Sequence, residues 1–242
     1  KVTKFSPHII LSTIGHYHYV KDIYQLRDKN VSIIPLGIKD CSADQLKEVK
    51  KKEGIHILYV SRLEKRKGTV VLMKAIPALC REFPNVHVTF VGKDRREAPN
   101  GMFFREYFSK EFPEYTDHVR FIGHVPDEEL KGYYRSADIF VVPSLYESFG
   151  LIYIEAMLYG LPIVACRTGG VPEVVKDQEV GILVEPDSDE QLFEAVRELI
   201  MNKPQRKQMA KNARQYFLSH FTDEIMCGKM EEYYKSIAGY ER

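Results

Sequence analysis

Eight short apolar runs alternate with helix patterns along this chain, and that alternation limits the possible folds more than any other feature. Most of the runs are unbroken and rich in Val and Ile, which is typical of strands buried on both faces of a sheet. Strands are predicted at 8–14, 31–37, 56–61, 86–92, 119–123, 139–144, 162–166 and 181–185. Amphipathic helices are predicted between them, for example at 68–83, 126–137 and 188–202. The pattern predicts an α/β fold with a Rossmann-like, doubly wound parallel sheet.

Two of these helices carry candidate N-terminal caps. Asp127 is a candidate N-cap for the helix at 126–137, and Ser188 and Gln191 have capping-box spacing at the start of the helix at 188–202.

The chain divides into four parts by composition. Residues 1–39 carry two apolar runs and are predicted to be the tail of another domain, and the chain begins with Lys1 rather than Met, as an excised piece would. Residues 40–55 are polar and charged and are predicted to be a linker with some helix. Residues 56–220 hold the other six runs and are predicted to form the Rossmann-like domain. Residues 221–242 are predicted to be a final helix after a break near 221–222.

Charge and cysteine content exclude several classes of protein. Lys and Arg number 35 and Asp and Glu 34, so a net charge of +1 gives no field that would attract nucleic acid. No apolar run is long enough to cross a bilayer, so we expect at most peripheral membrane contact, through the basic helix at 204–217. The cysteines are scattered and form no C-x-x-C pair, which favours a cytoplasmic location, at most at the membrane surface.

The segment YESFGLIYIEAMLYG (146–160) places Glu147 and Glu155 at the two ends of an apolar run. On a helix from about Phe149 to Tyr159, the two carboxylates would be about 80° apart in azimuth and about 12 Å apart along the axis. That separation excludes one shared ion and argues against a glycosidase pair, whose carboxyls lie about 5–10 Å apart. It fits an extended ligand with hydroxyls at both ends and charge between them, such as a sugar nucleotide.

Ser148, Phe149, Gly150 and Leu151 open this helix directly after a predicted strand. Free amides and the helix dipole make a helix N-terminus an anion site, and glycine lets a phosphate approach the backbone. Glu155 would then face a ribose and Glu147 the sugar hydroxyls. The alternative, which the helix alone leaves equally open, is that Ser148 caps the helix and Glu155 is solvated.

The turn RLEKRKG (62–68) places four cations where a strand meets a helix N-terminus. The helix dipole disfavours positive side chains there, and a bound anion would resolve the conflict. Arg62 can fork onto phosphate oxygens and Lys67 can add a point charge. The alternative is a solvated basic loop.

Three further turns are candidates for ligand contacts. Gly169 and Gly170 form a turn that could hold sugar hydroxyls, or a plain turn before a helix. A nucleotide base could pack at Gly92 or at His124 and Val125. The G-x-G-x-x-G dinucleotide fingerprint is absent, which argues against a dehydrogenase.

No metal site is predicted. The D-x-D pattern at 187–189 precedes a helix and is interpreted as a cap. His16 and His18 lack ligand partners nearby in the sequence.

These motifs together resemble glycosyltransferase family four. The stretch PSLYESFGLIYIEAMLYGLPIVACRTGGVPEVV is similar to the C-terminal signature of that family, with Glu147 and Glu155 as its E-x7-E motif. VSRLEKRKG resembles the family's diphosphate clamp, and the likeness extends over about residues 30 to 220. The resemblance implies a GT-B fold, of which this chain is the C-terminal, donor-binding part. It also implies a retaining, metal-independent hexosyltransferase that uses a nucleotide-diphosphate sugar and no other cofactor.

The resemblance also implies roles for individual residues. Arg62 and Lys67 would hold the diphosphate and stabilise it as it leaves, and these two residues and Glu147, at the donor sugar, would form the catalytic set. Amides near Gly150 and Leu151 would assist, and Glu155 would bind ribose. Residues 1–39 would be the end of the otherwise missing N-terminal acceptor domain, toward which the last helix crosses back. The isolated chain is therefore expected to be weakly active or inactive.

Two departures and two alternatives stand beside the resemblance. Lys93 and Asp94 replace the usual second glycine, with a long insertion following, and Leu36 stands where asparagine is common. The alternatives are a non-catalytic sugar-nucleotide-binding subunit and a GT-B epimerase or phosphorylase. The acceptor is expected to be a glycan, a lipid or a protein.

Overall fold

The computed structural model of the protein describes residues 8–26, 30–40 and 53–239. The strands are β1 (His8–Leu11), β2 (Asn30–Ile33), β3 (Ile55–Val60), β4 (Val86–Val91), β5 (Val119–Gly123), β6 (Ile139–Val142), β7 (Ile163–Cys166) and β8 (Gly181–Val184). The helices are α1 (Ile14–Val20), α2 (Thr69–Glu82), α3 (Phe104–Glu111), α4 (Asp127–Ser136), α5 (Leu151–Leu158), α6 (Val171–Val174), α7 (Asp189–Met201), α8 (Lys203–His220) and α9 (Asp223–Ala238). All eight predicted strands are present, several of them shorter than predicted.

The strands form two parallel sheets. β1 and β2 pair with each other, and the other six strands form one sheet in the order β5-β4-β3-β6-β7-β8. The chain leaves β3 toward β4 on one side and later returns to place β6 on the other side of β3. In such sheets, ligands bind beyond the carboxyl ends of the strands at the point where the order reverses. The predicted α/β, Rossmann-like parallel fold is confirmed, and the switch point lies between β3 and β6.

Apolar side chains pack on the central strands and create the core. β6 and β7 are buried at every position, as their unbroken apolar runs predict. Tyr59, Phe90 and Phe140 are fully buried ring side chains contributed by β3, β4 and β6. Helix α2 packs on α7, and α5 packs on α8. A rigid sheet of this kind holds the loops at its carboxyl end in fixed positions.

Several local features differ from the predictions. The helix in 146–160 begins at Leu151, so Glu147 lies in the preceding loop and the helical spacing calculated for the two glutamates does not apply. The N-cap of α4 is Pro126, and Asp127 is its first residue. Ser188 does accept a hydrogen bond from the amide of Gln191, at 3.2 Å, as predicted.

The segment at 30–40 meets the chain between α8 and α9, where the helix break is predicted. Ile38 N donates to Phe221 O at 2.9 Å, and Asp223 N donates to Ile38 O at 3.1 Å. The break falls between α8 and α9, as predicted. Most of the predicted linker, residues 41–52, lies outside the described residues, so the domain limits remain predictions. Within the described ranges, no helix has the length and apolar character that a bilayer crossing requires.

Candidate functional site

Three loops at the carboxyl ends of β3, β6 and β7 form one hydrogen-bonded unit at the switch point. Arg66, in the basic turn 62–68, accepts a hydrogen bond from Leu145 N through its carbonyl at 2.8 Å, and its Nη1 donates to Tyr146 O at 3.0 Å. Thr168 Oγ1 donates to Leu145 O at 3.1 Å, which adds the loop after β7. The structure therefore brings together the basic turn, the 143–150 loop and the Gly169–Gly170 turn.

Lys67 and Glu147 form an ion pair that is almost removed from solvent. Lys67 Nζ contacts Glu147 Oε1, and the two side chains are 11% and 9% exposed. Ser144 Oγ donates to the same oxygen at 3.1 Å, and Arg66 Nη1 lies 3.9 Å from Oε2. A carboxylate buried to this degree requires such partners. The structure thus places Glu147 against the Lys67 ammonium and fixes the position of that charge.

Glu64 is a residue at this site that the sequence interpretation did not single out. It is 7% exposed, and three guanidinium groups surround its carboxylate. Arg62 Nη1 is 3.0 Å and Arg95 Nε 3.6 Å from Oε1, and Arg66 Nη2 is 3.9 Å from Oε2. Arg95 comes from the loop after β4, so only the neighbouring position of β3 and β4 in the sheet could have revealed this cluster. Arg62 therefore pairs with Glu64 in this structure.

Gly150 sets the start of α5. It has φ = 84°, a left-handed conformation that favours glycine, and a Cβ at this position would clash with the ring of Tyr153. Tyr153 OH donates to Val142 O at 2.9 Å, and burial raises the pKa of Tyr153 well above its usual range. Leu151 is exposed, and among the described residues no side chain caps α5. The alternative in which Ser148 caps the helix is therefore wrong. The amide of Tyr153 donates to Gly150 O at 2.9 Å, and the amides of Leu151 and Ile152 precede it at the helix N-terminus, where an anion is favoured.

Glu155 is paired within the helix layer rather than solvated. Its Oε2 accepts a hydrogen bond from Tyr134 OH at 2.8 Å. Burial raises the pKa of the Glu155 carboxyl, the Tyr134 hydrogen bond lowers it, and the nearby charge of Asp127 raises it further. Burial and the negative charge of Glu155 raise the pKa of Tyr134. A carboxylate held in this way can accept from ligand hydroxyls with its second oxygen.

The remaining predicted residues divide by what their side chains contact. Phe149 is buried, with its ring 5.8 Å from that of Phe221, so only its backbone can reach a ligand. Val125 is also buried, whereas His124 is exposed. Gly92 N donates to Gly123 O at 2.8 Å, which places the two candidate base-binding turns side by side.

The first described segment also reaches the site. Thr13 Oγ1 donates to Ser148 O, and the amides of Ile14 and Gly15 donate to the two carboxylate oxygens of Glu173 at 2.8 and 2.7 Å. The sequence interpretation missed these contacts, which join residues more than 130 positions apart. His16 lies beside Tyr146, with 3.4 Å between Nδ1 and the hydroxyl. Nowhere in the described part of the chain do three or more His, Cys, Asp or Glu side chains converge as a metal site would require.

A parallel Rossmann-like sheet with a basic turn and a glycine-opened helix at its switch point defines the fold as that of the C-terminal domain of GT-B glycosyltransferases. Comparison of the sequence with family models agrees. Residues 42–216 match the family described as glycosyl transferases group 1, and the chain belongs to that family.

Individual relatives are similar over most of this chain. The D-inositol 3-phosphate glycosyltransferase of Corynebacterium diphtheriae is 33% identical over 182 residues, which is 74% of this chain and 42% of that protein. The chain therefore spans less than half the length of that relative. Sucrose-phosphate synthase from Thermosynechococcus elongatus has a TM-score of 0.83 at 26% identity, over 99% of this chain and 60% of that one. HepE of Anabaena, solved with UDP and glucose, has a TM-score of 0.77 at 22% identity over 97% of this chain and 64% of that one, which shows the shared fold.

Proposed function

We propose that this chain is the donor-binding part of a retaining, metal-independent hexosyltransferase that uses a nucleotide-diphosphate sugar. The observation that carries the proposal is the junction of the basic turn with the loop that opens α5. Arg66 binds the 143–150 loop through its carbonyl and its guanidinium, so the cations and the free amides of α5 belong to one rigid unit. That unit presents positive charge at the ligand-binding end of the sheet.

The proposed chemistry is departure of the nucleotide diphosphate. As the bond between the sugar and the diphosphate breaks, negative charge grows on the leaving oxygen, and fixed positive charge stabilises it. Lys67, anchored by Glu147, supplies a charge that does not need to reorganise. Arg62 is 52% exposed and is free to exchange the Glu64 carboxylate for a phosphate. Glu147 acts in this proposal chiefly as a positioning residue for Lys67.

The two ends of the donor have separate supports. Glu155, with one oxygen on Tyr134, is proposed to bind the ribose hydroxyls. The Gly169–Gly170 turn is proposed to lie at the sugar. UDP is the first nucleotide to test, because HepE, of the same fold, was solved with UDP. Retention of anomeric configuration rests on the resemblance to family four, and the acceptor is proposed to be a hydroxyl of a glycan, lipid or protein.

Residues 1–39 are proposed to be the end of an acceptor domain that α9 rejoins. The hydrogen bonds between Ile38 and the α8–α9 break support this, as does the docking of α1 on Glu173. The donor cleft would then lie between the two parts.

Calorimetric titration with UDP, GDP and ADP tests the donor site. We expect one of them to bind, and Lys67→Met to weaken that binding at least about ten-fold, since a desolvated charge-assisted contact contributes about 1.5–3 kcal/mol. Arg197→Gln is the matched control, because Arg197 pairs with Glu82 on the packed helices α7 and α2. Absence of binding by all three nucleotides would contradict the proposal.

Transfer itself is tested with the full-length protein and the matching nucleotide sugar. Transfer to an acceptor with retained configuration supports the enzyme, and the anomeric configuration is read by NMR. Binding without turnover would favour the non-catalytic subunit, and conversion of the donor without an acceptor would favour an epimerase.

A further inference from the structure

The loop after β4 runs alongside the basic turn. Pairing of β3 with β4 continues beyond both strands, since Ser61 N donates to Val91 O and Leu63 N to Lys93 O, each at 3.0 Å. One residue further on, Asp94 accepts from the amides of Phe104 and Arg105, at 2.9 and 3.1 Å. Asp94 thus anchors the start of α3, and the two residues that precede Arg95 are both held by hydrogen bonds.

Arg95 is directed into the same cluster as the basic turn. Its Nε is 3.6 Å from Glu64 Oε1, the oxygen that Arg62 Nη1 approaches to 3.0 Å. Two guanidinium groups on one carboxylate oxygen repel each other, and Glu64 offers each only part of its charge. Arg95 is 42% exposed, so its head group can move without disturbing the core. Its neighbour Arg96 instead lies over the Phe103 ring, at 5.1 Å.

The charges of the cluster show what Arg95 adds. Four cations, Arg62, Arg66, Lys67 and Arg95, face two carboxylates, Glu64 and Glu147, which leaves two positive charges, four minus two, unmatched. The diphosphate of a sugar nucleotide is a diester that carries two negative charges. Without Arg95 only one positive charge would remain to meet them.

We propose that Arg95 is a fourth cation of the diphosphate site, supplied by the segment 93–103 that follows β4. This inference rests on the proposed function, because it takes the ligand to be a nucleotide diphosphate. Arg62 and Arg95 share the Oε1 atom of Glu64 in this structure. When the diphosphate enters, at least one of them transfers to phosphate oxygens, and Glu64 keeps the other. Glu64 therefore holds the arginines near the position of the ligand before it binds.

The test compares Arg95→Gln, Arg95→Lys and the matched control Arg96→Gln by calorimetry with UDP, uridine and inorganic diphosphate. We expect Arg95→Gln to weaken binding of UDP and of inorganic diphosphate about three- to ten-fold, which is the range for one charge-assisted contact at a partly exposed site. The dissociation constants of Arg95→Lys and Arg96→Gln for these ligands should remain within about two-fold of those of the original chain. Uridine, which lacks phosphate, should bind all variants alike. The loss should shrink at high salt, where exposed charges are screened.

Each other outcome has a definite meaning. If the original chain binds UDP and Arg95→Gln binds it equally well, the inference is wrong and the proposed function stands. If Arg96→Gln loses as much affinity for UDP as Arg95→Gln, the loss reflects the overall charge of the segment, and the assignment of Arg95 to the diphosphate site fails. An equal loss of uridine binding would show a structural effect instead. If inorganic diphosphate binds and depends on Arg95 while no nucleotide binds, the cation site stands and the proposed function fails. Binding of neither would overturn both.

Discussion

Replacing Glu147 with glutamine should destabilise the protein strongly, because it leaves the Lys67 ammonium buried without its counter-charge. Both side chains are about one-tenth exposed, and Ser144 occupies the same carboxylate oxygen. Removing one partner of a buried ion pair costs about 3–5 kcal/mol. The glutamine oxygen can still accept hydrogen bonds, so we expect a value of about 3 kcal/mol. For a domain of this size, that corresponds to a fall in Tm of about 6–12 °C.

Urea unfolding of Glu147→Gln, Lys67→Met and the double variant measures this directly. The double variant carries no unpaired charge at this position, so its free energy of unfolding should lie within about 1–2 kcal/mol of that of the original chain. Inorganic diphosphate should raise the Tm of Glu147→Gln more than that of the original chain, since the free ammonium gains an anion. If the free energy of unfolding of Glu147→Gln lies within about 0.5 kcal/mol of that of the original chain, the Lys67–Glu147 pair is screened like a surface ion pair and the reasoning is refuted.

Three further substitutions test other parts of the site. Glu155→Gln should stabilise the chain at about pH 7.5 but not at about pH 4. A carboxyl whose pKa is raised by burial destabilises the fold only at a pH where it is ionised. The Tm of both proteins at the two pH values measures this. The glutamine oxygen can still accept the hydrogen bond from Tyr134, so a Tm that does not rise at about pH 7.5 would contradict the raised pKa of Glu155. Gly150→Ala, at φ = 84°, should cost about 1–3 kcal/mol in urea unfolding, and an unchanged midpoint would contradict the strain. Gly15→Ala should speed amide hydrogen exchange in α1 with little change in the six-stranded sheet, because the alanine Cβ would overlap the carbonyl oxygen of Gly169. Unchanged exchange in α1 would show that the close packing of Gly15 on Gly169 is dispensable.

The fold was predictable because its signals are local. Unbroken apolar runs such as those of β6 and β7 are typical of buried parallel strands, and both strands are buried throughout. Helix ends were less predictable. The helix after β6 begins at Leu151 because Gly150 takes a left-handed conformation and Tyr153 packs beneath it, which no spacing of glutamates reveals.

The site was predictable only in the parts that lie within one loop. Lys67 and Glu147 were both singled out, but the pair that they form depends on β3 lying next to β6. Arg95 and Glu64 depend in the same way on β3 lying next to β4. A single sequence carries the order of strands in a sheet only weakly, so charges that meet across neighbouring loops remain hidden until the topology is known.

The sugar side of the proposed site is not built by the six-stranded domain alone. Glu173, in the first turn of α6, accepts with both carboxylate oxygens from the amides of Ile14 and Gly15, which as first-turn amides of α1 have no acceptor within their own helix. Thr13 holds the carbonyl of Ser148, in the loop that opens α5. Because the first segment thus binds the loops on either side of the proposed sugar position, any movement of that segment must shift these loops. The diphosphate cluster shares the loop at 143–150 with these contacts, because Glu147 directly precedes Ser148 and His16 lies beside Tyr146. The proposed diphosphate and sugar contacts are therefore expected to be coupled through this loop, and both depend in part on a segment outside the six-stranded sheet.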